Sequence, residues 1–426
     1  MEKRSTEGLN PSYTFRSGAL VALFFFLACS SPPVATVAPR TKTDYTAFLP
    51  QSCEASRSPL FRDIGPNDLL EVEFISNFDV LGREPPTVST QKGVLRYVDP
   101  DGHPQFVGAL VRVDGNLRSH CEHKPLRLEL ESEIVMVGVV DTVTHDPGAM
   151  DRLRAIYEEY LSTDGEAQDK KGVPQENNIF AHLGDDIKIM THCGVHEWDR
   201  IGGKDAATQR AHLLQEYYLY QLLDLARTTT FKTRLVRLTF RSADGAVLGT
   251  YPAFFKEPKT ELARRCGLKV MKNPEGEVNK VSYINFHLLN FLAMNEDFDF
   301  PSHNVVNLRD GAGVRFLVPY DFDLSEVSNP QYADQIGPVV ARFLEWTSDF
   351  QYDDIALAQV VHLLSRQDDF RALFRQSLLD DESKKRALDW LDTAFETLRR
   401  FVYERPADEL KHMEEIETSL LGANPT

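Results

Sequence analysis

The sequence predicts an α+β fold with a β-rich N-terminal lobe and a mainly helical C-terminal lobe. Short apolar runs separated by turn residues fill residues 69–139, which is typical of consecutive strands. After Lys280 the pattern becomes mainly helical. The composition, with 42% hydrophobic and 26% charged residues, is that of a globular protein with a sizeable core. We therefore expect an N-terminal lobe over residues 59–280 and a C-terminal lobe over residues 281–413.

The same patterns place the individual elements. Strands are predicted at residues 69–75, 93–98, 106–113, 126–130, 134–139, 187–190, 234–240 and 247–255. The N-terminal lobe also holds one predicted helix at about 208–226, and residues 163–178 have the polar composition of an exposed loop. The C-terminal lobe is predicted to contain helices at 282–294, 355–365 and 383–403, before a frayed tail over 414–426.

Residues 1–28 have the features of a bacterial export signal. Basic residues precede an unbroken small or apolar stretch at 18–28, which is too short to span a bilayer comfortably. The end of this stretch resembles a lipobox, in which Cys29 becomes the lipidated first residue, although Phe26 stands where leucine is usual. We expect residues 29–58 to carry the lipid and a flexible tether. An uncleaved membrane anchor is the alternative.

The formal net charge of −17 limits the choice of partners. A strongly acidic chain is repelled by nucleic-acid phosphates and by acidic lipid headgroups. We therefore expect no nucleic-acid partner, and contact with the membrane through the N-terminal lipid only.

A predicted β-hairpin gathers polar residues at its open end. Two apolar runs, at 305–308 and 314–318, flank a glycine-rich turn. Because antiparallel strands lie about 4.8 Å apart, Asn304 before the first strand and Asp321 after the second are expected to be near neighbours. A divalent cation bridging these two side chains is the chemistry that this pattern favours.

Two further carboxylates belong to the same segment. Asp297 precedes the hairpin, and Asp323 shares a face with Asp321 if the second strand continues that far. Carboxylate and amide oxygens are suitable ligands for Mg²⁺ or Ca²⁺. Turn and cap chemistry, for which Asp and Asn are common, is the alternative explanation.

An Asp, then an Asn, then an Asp at the end of a hairpin is also the order of parts in kinase-type phosphoryl transfer. The spacing resembles that of the CotH-like (spore-coat) atypical protein-kinase family, most closely its uncharacterised exported bacterial members. The resemblance covers roughly residues 60–330 and implies a two-lobed atypical kinase-like fold. Its marks are residues 111–118 with 125–128, 187–193, 214–217, and the Asn-x-Asp, His-Asn and Pro-Tyr-Asp-Phe-Asp segments around the hairpin.

The resemblance implies that the chain binds ATP or another nucleotide together with Mg²⁺. Asp297 would orient or deprotonate the hydroxyl acceptor. Asn304 and Asp321, with Asp323 as a further candidate, would hold the metal.

Basic residues from the N-terminal lobe would contact the phosphates. Lys188 is the first candidate, positioned by an ion pair with Glu216 on the 208–226 helix. Arg127 and Arg112 compete for the same role. The alternative is a solvated Glu216 at the edge of an apolar stripe and a Lys188 that merely points outward from an edge strand.

Asn116 is a further candidate, because a tight turn there would present backbone N–H groups to phosphate. An ordinary hairpin turn is the alternative. The neighbouring Asp114 places a carboxylate where the related proteins have a basic or neutral residue, which weakens the phosphate-binding interpretation.

Two readings remain for the cysteine-containing segments. A tetrahedral zinc site would use Cys121, His123, Cys193 and His196 if their strands meet. Export favours instead a disulfide between Cys121 and Cys193, and the related proteins resemble this chain at those cysteines. Cys53 and Cys266 would then be either paired or free.

The expected function is that of a lipid-anchored phosphotransferase of the bacterial cell envelope, periplasmic or outer-membrane, that phosphorylates a hydroxyl on a protein or small molecule. Because little ATP is present beyond the inner membrane, a rival hypothesis is a non-catalytic binding or envelope-assembly module whose acidic residues hold Ca²⁺. Nucleotidyl transfer, which uses similar parts with the nucleotide inverted, is a third hypothesis.

Overall fold

Seven of the described strands close into a β-barrel. The computed structural model describes residues 45–48, 53–76, 91–99, 101–114, 125–133, 178–183, 186–192, 206–242, 245–298, 302–323, 325, 340–341, 343–345, 353–404, 415–416, 418 and 420. The barrel strands are β1 (Leu70–Ser76), β2 (Gln91–Val98), β3 (Pro104–Val113), β4 (Leu126–Glu133), β5 (Asp186–Thr191), β6 (Thr233–Ser242) and β7 (Val247–Lys256).

The barrel has the strand order β1-β2-β3-β4-β5-β7-β6. Neighbouring strands are antiparallel, except that β1 pairs in parallel with β6 and so closes the barrel. Alternate side chains along each strand fill the interior, as Leu126 and Leu128 on β4 and Ile187 and Ile189 on β5 show. The side chains between them therefore lie on the outer face.

The helices and a small second sheet pack outside the barrel. The helices are α1 (Ala206–Leu225), α2 (Lys259–Arg265), α3 (Lys280–Leu292), α4 (Asp354–Ser365), α5 (Gln367–Gln376) and α6 (Asp381–Tyr403). The second sheet has the order β10-β9-β8, with β8 (Lys269–Val270), β9 (Val305–Arg309) and β10 (Arg315–Pro319). Short 3₁₀ helices occur at Tyr45–Phe48 and Pro59–Phe61.

Helix α1 lies between the barrel and the other helices. Its Tyr217 and Tyr220 belong to one apolar cluster with Phe254 on the outer face of β7, and the same cluster includes residues of α3 and α6. At the far side of this cluster, Trp390 of α6 donates a hydrogen bond to the carbonyl of Leu292, at 2.9 Å. The barrel and the helical layer therefore share a continuous core.

The predicted α+β class is confirmed, but the two-lobed kinase-like fold is wrong. The alternating patterns identified the strands, yet closure depends on the pairing of β1 with β6, which are far apart in sequence. Such a pairing leaves no local signal. Residue 280 is not a lobe boundary either, because residues 44–426 form one compact unit.

Most predicted elements are observed within a few residues of their expected bounds. The second hairpin strand is shorter than the metal-ligand prediction required, since β10 ends at Pro319 and does not continue to Asp323. The frayed tail is also contradicted where the structure describes it, because Ile416 and Leu420 are buried in the helical cluster. The predicted strand at 134–139, the loop before residue 178 and the N-terminal export segment with Cys29 lie outside the described residues.

Among the described helices, none combines the length and the apolar character that crossing a bilayer requires.

A disulfide joins Cys53 to Cys266, at a Cα–Cα distance of 4.4 Å and a sequence separation of 213 residues. It ties the segment before β1 to the C-terminal end of α2. It also borders a cavity of about 580 Å³ whose described lining includes Asn285 and Phe316 but no residue of the acid–amide site described below. Cys121 and Cys193 lie outside the described residues, so both readings of that pair remain predictions.

We expect the double substitution of Cys53 and Cys266 by serine to lower the free energy of unfolding by about 3 kcal/mol. A cross-link that closes a long loop restricts the unfolded chain, and removing it restores that entropy. Guanidinium titration of the wild type and the double variant, followed by circular dichroism, measures the difference. Equal stabilities would show that the bond does not contribute to folding.

Candidate active site

The open end of the hairpin brings Asn304 and Asp321 together, as the sequence predicted. The Tyr320 N–H donates to the Asn304 carbonyl at 3.2 Å, so the two polar residues flank the last backbone pair of β9 and β10. Asn304 has φ 53° and Asp321 has φ 67°. These left-handed conformations are uncommon for residues other than glycine and are concentrated at functional sites.

Asp297 joins the same cluster through Asn304. The Asn304 amide nitrogen donates to the Asp297 carbonyl at 2.5 Å and to its Oδ2 at 3.0 Å. His303 Nε2 lies 3.4 Å from Asp297 Oδ1, and Asn295 Oδ1 accepts the Asp297 N–H at 3.2 Å. The carboxylate is thus fixed from two sides, and the Asn304 amide oxygen is left for another ligand. We call Asp297, Asn304 and Asp321 the acid–amide site.

Asp321 is positioned by its backbone. Its N–H donates to the Tyr220 hydroxyl at 3.1 Å, and Phe322 packs edge-on against the Tyr220 ring. Complete burial raises the pKa of Tyr220 well above its ordinary value, so the hydroxyl stays protonated. Within the described residues the Asp321 carboxylate makes no hydrogen bond or ion pair, which leaves it free to bind a cation.

Asp323 lies beyond the end of β10, so the prediction that it shares a strand face with Asp321 is wrong. Its charge nevertheless contributes to the raised pKa of Tyr220, which places it in the neighbourhood of the site. It remains a candidate metal ligand.

The central feature of the site is Lys256, at the end of β7. Its side chain is 4% exposed, and its ammonium lies 5.4 Å from the Tyr320 ring centroid and 5.7 Å from those of Tyr220 and Phe231. Its polar neighbour is the Tyr220 hydroxyl, at 3.5 Å. Among the described residues no carboxylate pairs with it. Lys256 and Asp321 therefore meet at one hydroxyl group.

The environment of Lys256 makes its charge costly. Burial is the main cause that lowers the pKa of Lys256 to about 8, and the charge of Lys188 acts in the same direction. The opposing influences are the carboxylates of Asp321, Glu216 and Asp114. A buried cation with this balance is a strong candidate to bind an anion.

Lys256 is the last member of a row of cations on the outer face of the barrel. Direct strand register pairs Arg112 with Arg127, Arg127 with Lys188, and Lys188 with Lys256. We call these four residues the basic row. Three of them were predicted from the sequence as phosphate ligands, and the register brings them together on β3, β4, β5 and β7.

The partner predicted for Lys188 is wrong. Its ammonium contacts Asp114 Oδ2, and Asp114 Oδ1 lies 3.0 Å from Arg127. Glu216 is fully buried on α1, and its charge raises the pKa of both Lys256 and Tyr220. The helix carboxylate therefore acts beside Lys256, whereas Lys188 is paired within the barrel. The sequence could not reveal this, since Asp114 reaches Lys188 across the intervening strand β4.

The remaining phosphate candidates differ in their setting. Arg112 is exposed and pairs with Glu129 at 3.7 Å, at the distal end of the basic row. Asn116 lies outside the described residues. Lys259, which sequence reasoning missed, holds its ammonium 4.7 Å from the Tyr320 ring centroid. Desolvation and the charges of Lys188 and Arg127 lower the pKa of Lys259.

Sequence reasoning also missed Lys256 and Tyr220. One signal was present: Lys256 ends the apolar run Ala253-Phe254-Phe255, where an uncompensated ammonium is unusual. Tyr220 was assigned only to the apolar stripe of α1, and its hydroxyl acquires a role only when the hairpin packs against that helix.

A second acidic group at the β2–β3 turn has a simpler explanation. Asp99, Asp101 and His103 lie close enough to share an ion. However, Asp99 Oδ1 accepts the N–H groups of Asp101 and His103, and its Oδ2 accepts from Gln105. These contacts are those of a side chain that stabilises a turn.

Comparison with known proteins adds no family assignment, because the chain matches no protein-family model and no curated protein.

Proposed function

We propose that this protein binds a nucleotide together with Mg²⁺ and transfers a phosphate to a hydroxyl acceptor. The observation that supports this best is the buried Lys256 ammonium without a carboxylate partner among the described residues, beside the unpaired carboxylate of Asp321. A phosphate group carrying a metal ion complements both at once. The proposal rests on this site and not on a kinase-like fold.

The donor atoms suit Mg²⁺. The Asn304 amide nitrogen is occupied by Asp297, so the oxygen is the atom available to a metal. The Asp321 carboxylate is free among the described residues, and Asp323 is a further oxygen donor nearby. We assign Asn304 and Asp321, with Asp323, to metal binding. When bound, the ion would reduce the negative charge that builds up on the transferring phosphate.

Lys256 takes the phosphate-binding role first predicted for Lys188. Lys188 and Arg127 extend the cationic surface along the barrel, with Arg112 at its distal end and Asn116 as a further contact. Glu216 and Tyr220 hold the Lys256 environment polar enough for the ammonium to stay charged near neutral pH.

Asp297 is the proposed group that receives or orients the acceptor hydroxyl. Asn304 and His303 hold its carboxylate, as a positioned base requires. The acceptor is a hydroxyl on a protein or a small molecule.

We further propose that the protein is exported to the bacterial cell envelope and anchored by a lipid on Cys29. The Cys53–Cys266 disulfide supports this, because such bonds persist mainly in oxidising compartments.

Incubation with ATP labelled at the γ or the α phosphate tests the activity. We expect label from the γ position to reach the acceptor or the protein itself, and Asp297→Ala to slow this transfer about 10²- to 10⁴-fold, because a positioned base contributes that much. Asp389→Ala, which alters an exposed carboxylate on α6, is the matched control and should leave transfer unchanged. Label from the α phosphate would indicate nucleotidyl transfer, and label from neither position would contradict the proposal.

A further inference from the structure

Asp114 occupies the centre of the basic row. It follows β3, and its backbone N–H donates to the Pro125 carbonyl at 2.8 Å, which fixes the chain there. Its two carboxylate oxygens face two different cations: Oδ1 lies 3.0 Å from Arg127, and Oδ2 contacts Lys188. Because Arg127 and Lys188 are register partners on β4 and β5, one carboxylate spans two adjacent strands.

The influence of Asp114 extends beyond these two contacts. Burial would raise the pKa of Asp114, but Lys188, Arg127 and Lys256 outweigh it, so the carboxylate is charged at neutral pH. Its charge in turn raises the pKa of Lys256 and Lys259. A single carboxylate therefore serves four cations, in the bridging arrangement that a phosphate oxygen pair would adopt.

We propose that Asp114 is a resident anion that an incoming phosphate ligand must displace, and that it thereby selects polyphosphates over ligands with a single phosphate. This inference rests on the proposed function and specifies the ligand class of the same cations. A ligand with three linked phosphates brings several negative charges and gains contacts along the row that outweigh the loss of Asp114. A single phosphate adds little charge beyond the one it displaces.

The opposite role for Asp114 predicts the opposite result. If its carboxylate served only to hold Lys188 in position, removing the charge would weaken phosphate binding. If it competes with phosphate, removing the charge strengthens binding. Asp114→Asn keeps the shape of the side chain and separates these cases. Asp186→Asn is the matched control, since Asp186 also pairs with Arg127, at 3.3 Å, but the structure gives it no contact with Lys188.

The test is calorimetric titration of the full chain with inorganic tripolyphosphate and with inorganic phosphate, without added metal. We expect Asp114→Asn to raise the affinity for tripolyphosphate about tenfold and the affinity for phosphate by more, so that the preference for tripolyphosphate narrows. Asp186→Asn should change each affinity less than about threefold. Circular dichroism verifies folding, and Asp114→Ser is the second variant if the asparagine side chain perturbs the strand end.

Affinity for tripolyphosphate that is unchanged or lower in folded Asp114→Asn would overturn the inference, as would a wild type and variant that both fail to bind either anion. These outcomes are distinct from failure of the proposed function. Phosphoryl transfer is read from labelled ATP, whereas this titration uses metal-free anions and requires no chemistry.

Discussion

Replacing Lys256 with methionine is expected to reduce the affinity for ATP with Mg²⁺ at least about 100-fold while making the folded protein more stable. The two effects have one cause. The ammonium is buried among three aromatic rings and, among the described residues, no carboxylate pairs with it. An unpaired buried charge costs free energy in the absence of ligand and contributes strongly once an anion binds. Methionine has a similar volume and no charge.

The pKa of Lys256 sets the size and pH range of the stability effect. Its value of about 8 in the folded protein lies below the ordinary value of 10.5. The difference corresponds to at most about 3 kcal/mol of destabilisation, at about 1.4 kcal/mol for each unit. This penalty is fully present below pH 8 and disappears as the pH rises from about 8 to 10.5. The stabilities of wild type and Lys256→Met should therefore converge at alkaline pH.

Ligand binding should follow the same titration. As the pH rises above about 8, free Lys256 loses its proton, and the affinity for ATP with Mg²⁺ should fall by up to about tenfold for each pH unit. Lys256→Met should lack this dependence. Thermal unfolding with and without ligand, from pH 6 to pH 10, measures both properties. Lys259→Met is the comparison, because Lys259 is exposed and should show the smaller loss of affinity.

Two results would contradict this account of Lys256. One is a methionine variant that binds ATP as well as the wild type. The other is a variant that is less stable than the wild type at pH 7, which would show that the ammonium already has a stabilising partner in the folded protein.

Asp321→Asn is expected to lower phosphoryl transfer about 10³-fold and to abolish the stabilisation that ATP gains from Mg²⁺. The carboxylate is the charged oxygen donor at the open end of the hairpin, and the amide that replaces it lacks the charge that attracts a divalent cation. Its backbone contact with Tyr220 does not involve the side chain, so the loop should keep its conformation. The unfolding temperature without ligand should therefore change little.

Asp310→Asn is the matched control for this prediction. Asp310 lies at the turn of the same hairpin, where its Oδ1 accepts the N–H groups of Ala312 and Val314. An asparagine oxygen can accept the same bonds, so Mg²⁺ dependence should persist. Equal loss in both variants would indicate that any change in hairpin charge disturbs the site. Retention of Mg²⁺ dependence in Asp321→Asn would remove Asp321 from the metal site.

Local sequence signals were sufficient for the hairpin and its polar ends. Alternating apolar runs around a glycine-rich turn determine where a hairpin lies, and Asn304 and Asp321 follow as neighbours. Asp297 was placed correctly beside them because it is close in sequence. These predictions required only the geometry of two adjacent strands.

The contacts that sequence reasoning missed all join distant segments. The environment of Lys256 is made by Tyr220 on α1, Phe231 before β6 and Tyr320 after β10. The closure of the barrel by β1 and β6 has the same character, and so does the pairing of Lys188 with Asp114. A charged residue in an apolar run indicates that a partner is needed, but the tertiary fold decides which one.

Calorimetric titration of the wild-type protein with ATP in the presence of Mg²⁺, compared with ATP alone and with Ca²⁺ alone, tests the central claim most directly. If Lys256 and the acid–amide site form one nucleotide site, ATP binds with Mg²⁺ present, binds far more weakly without it, and Ca²⁺ alone gives no comparable heat. Saturable binding of Ca²⁺ without any binding of ATP would contradict the account and favour a non-catalytic module of the cell envelope.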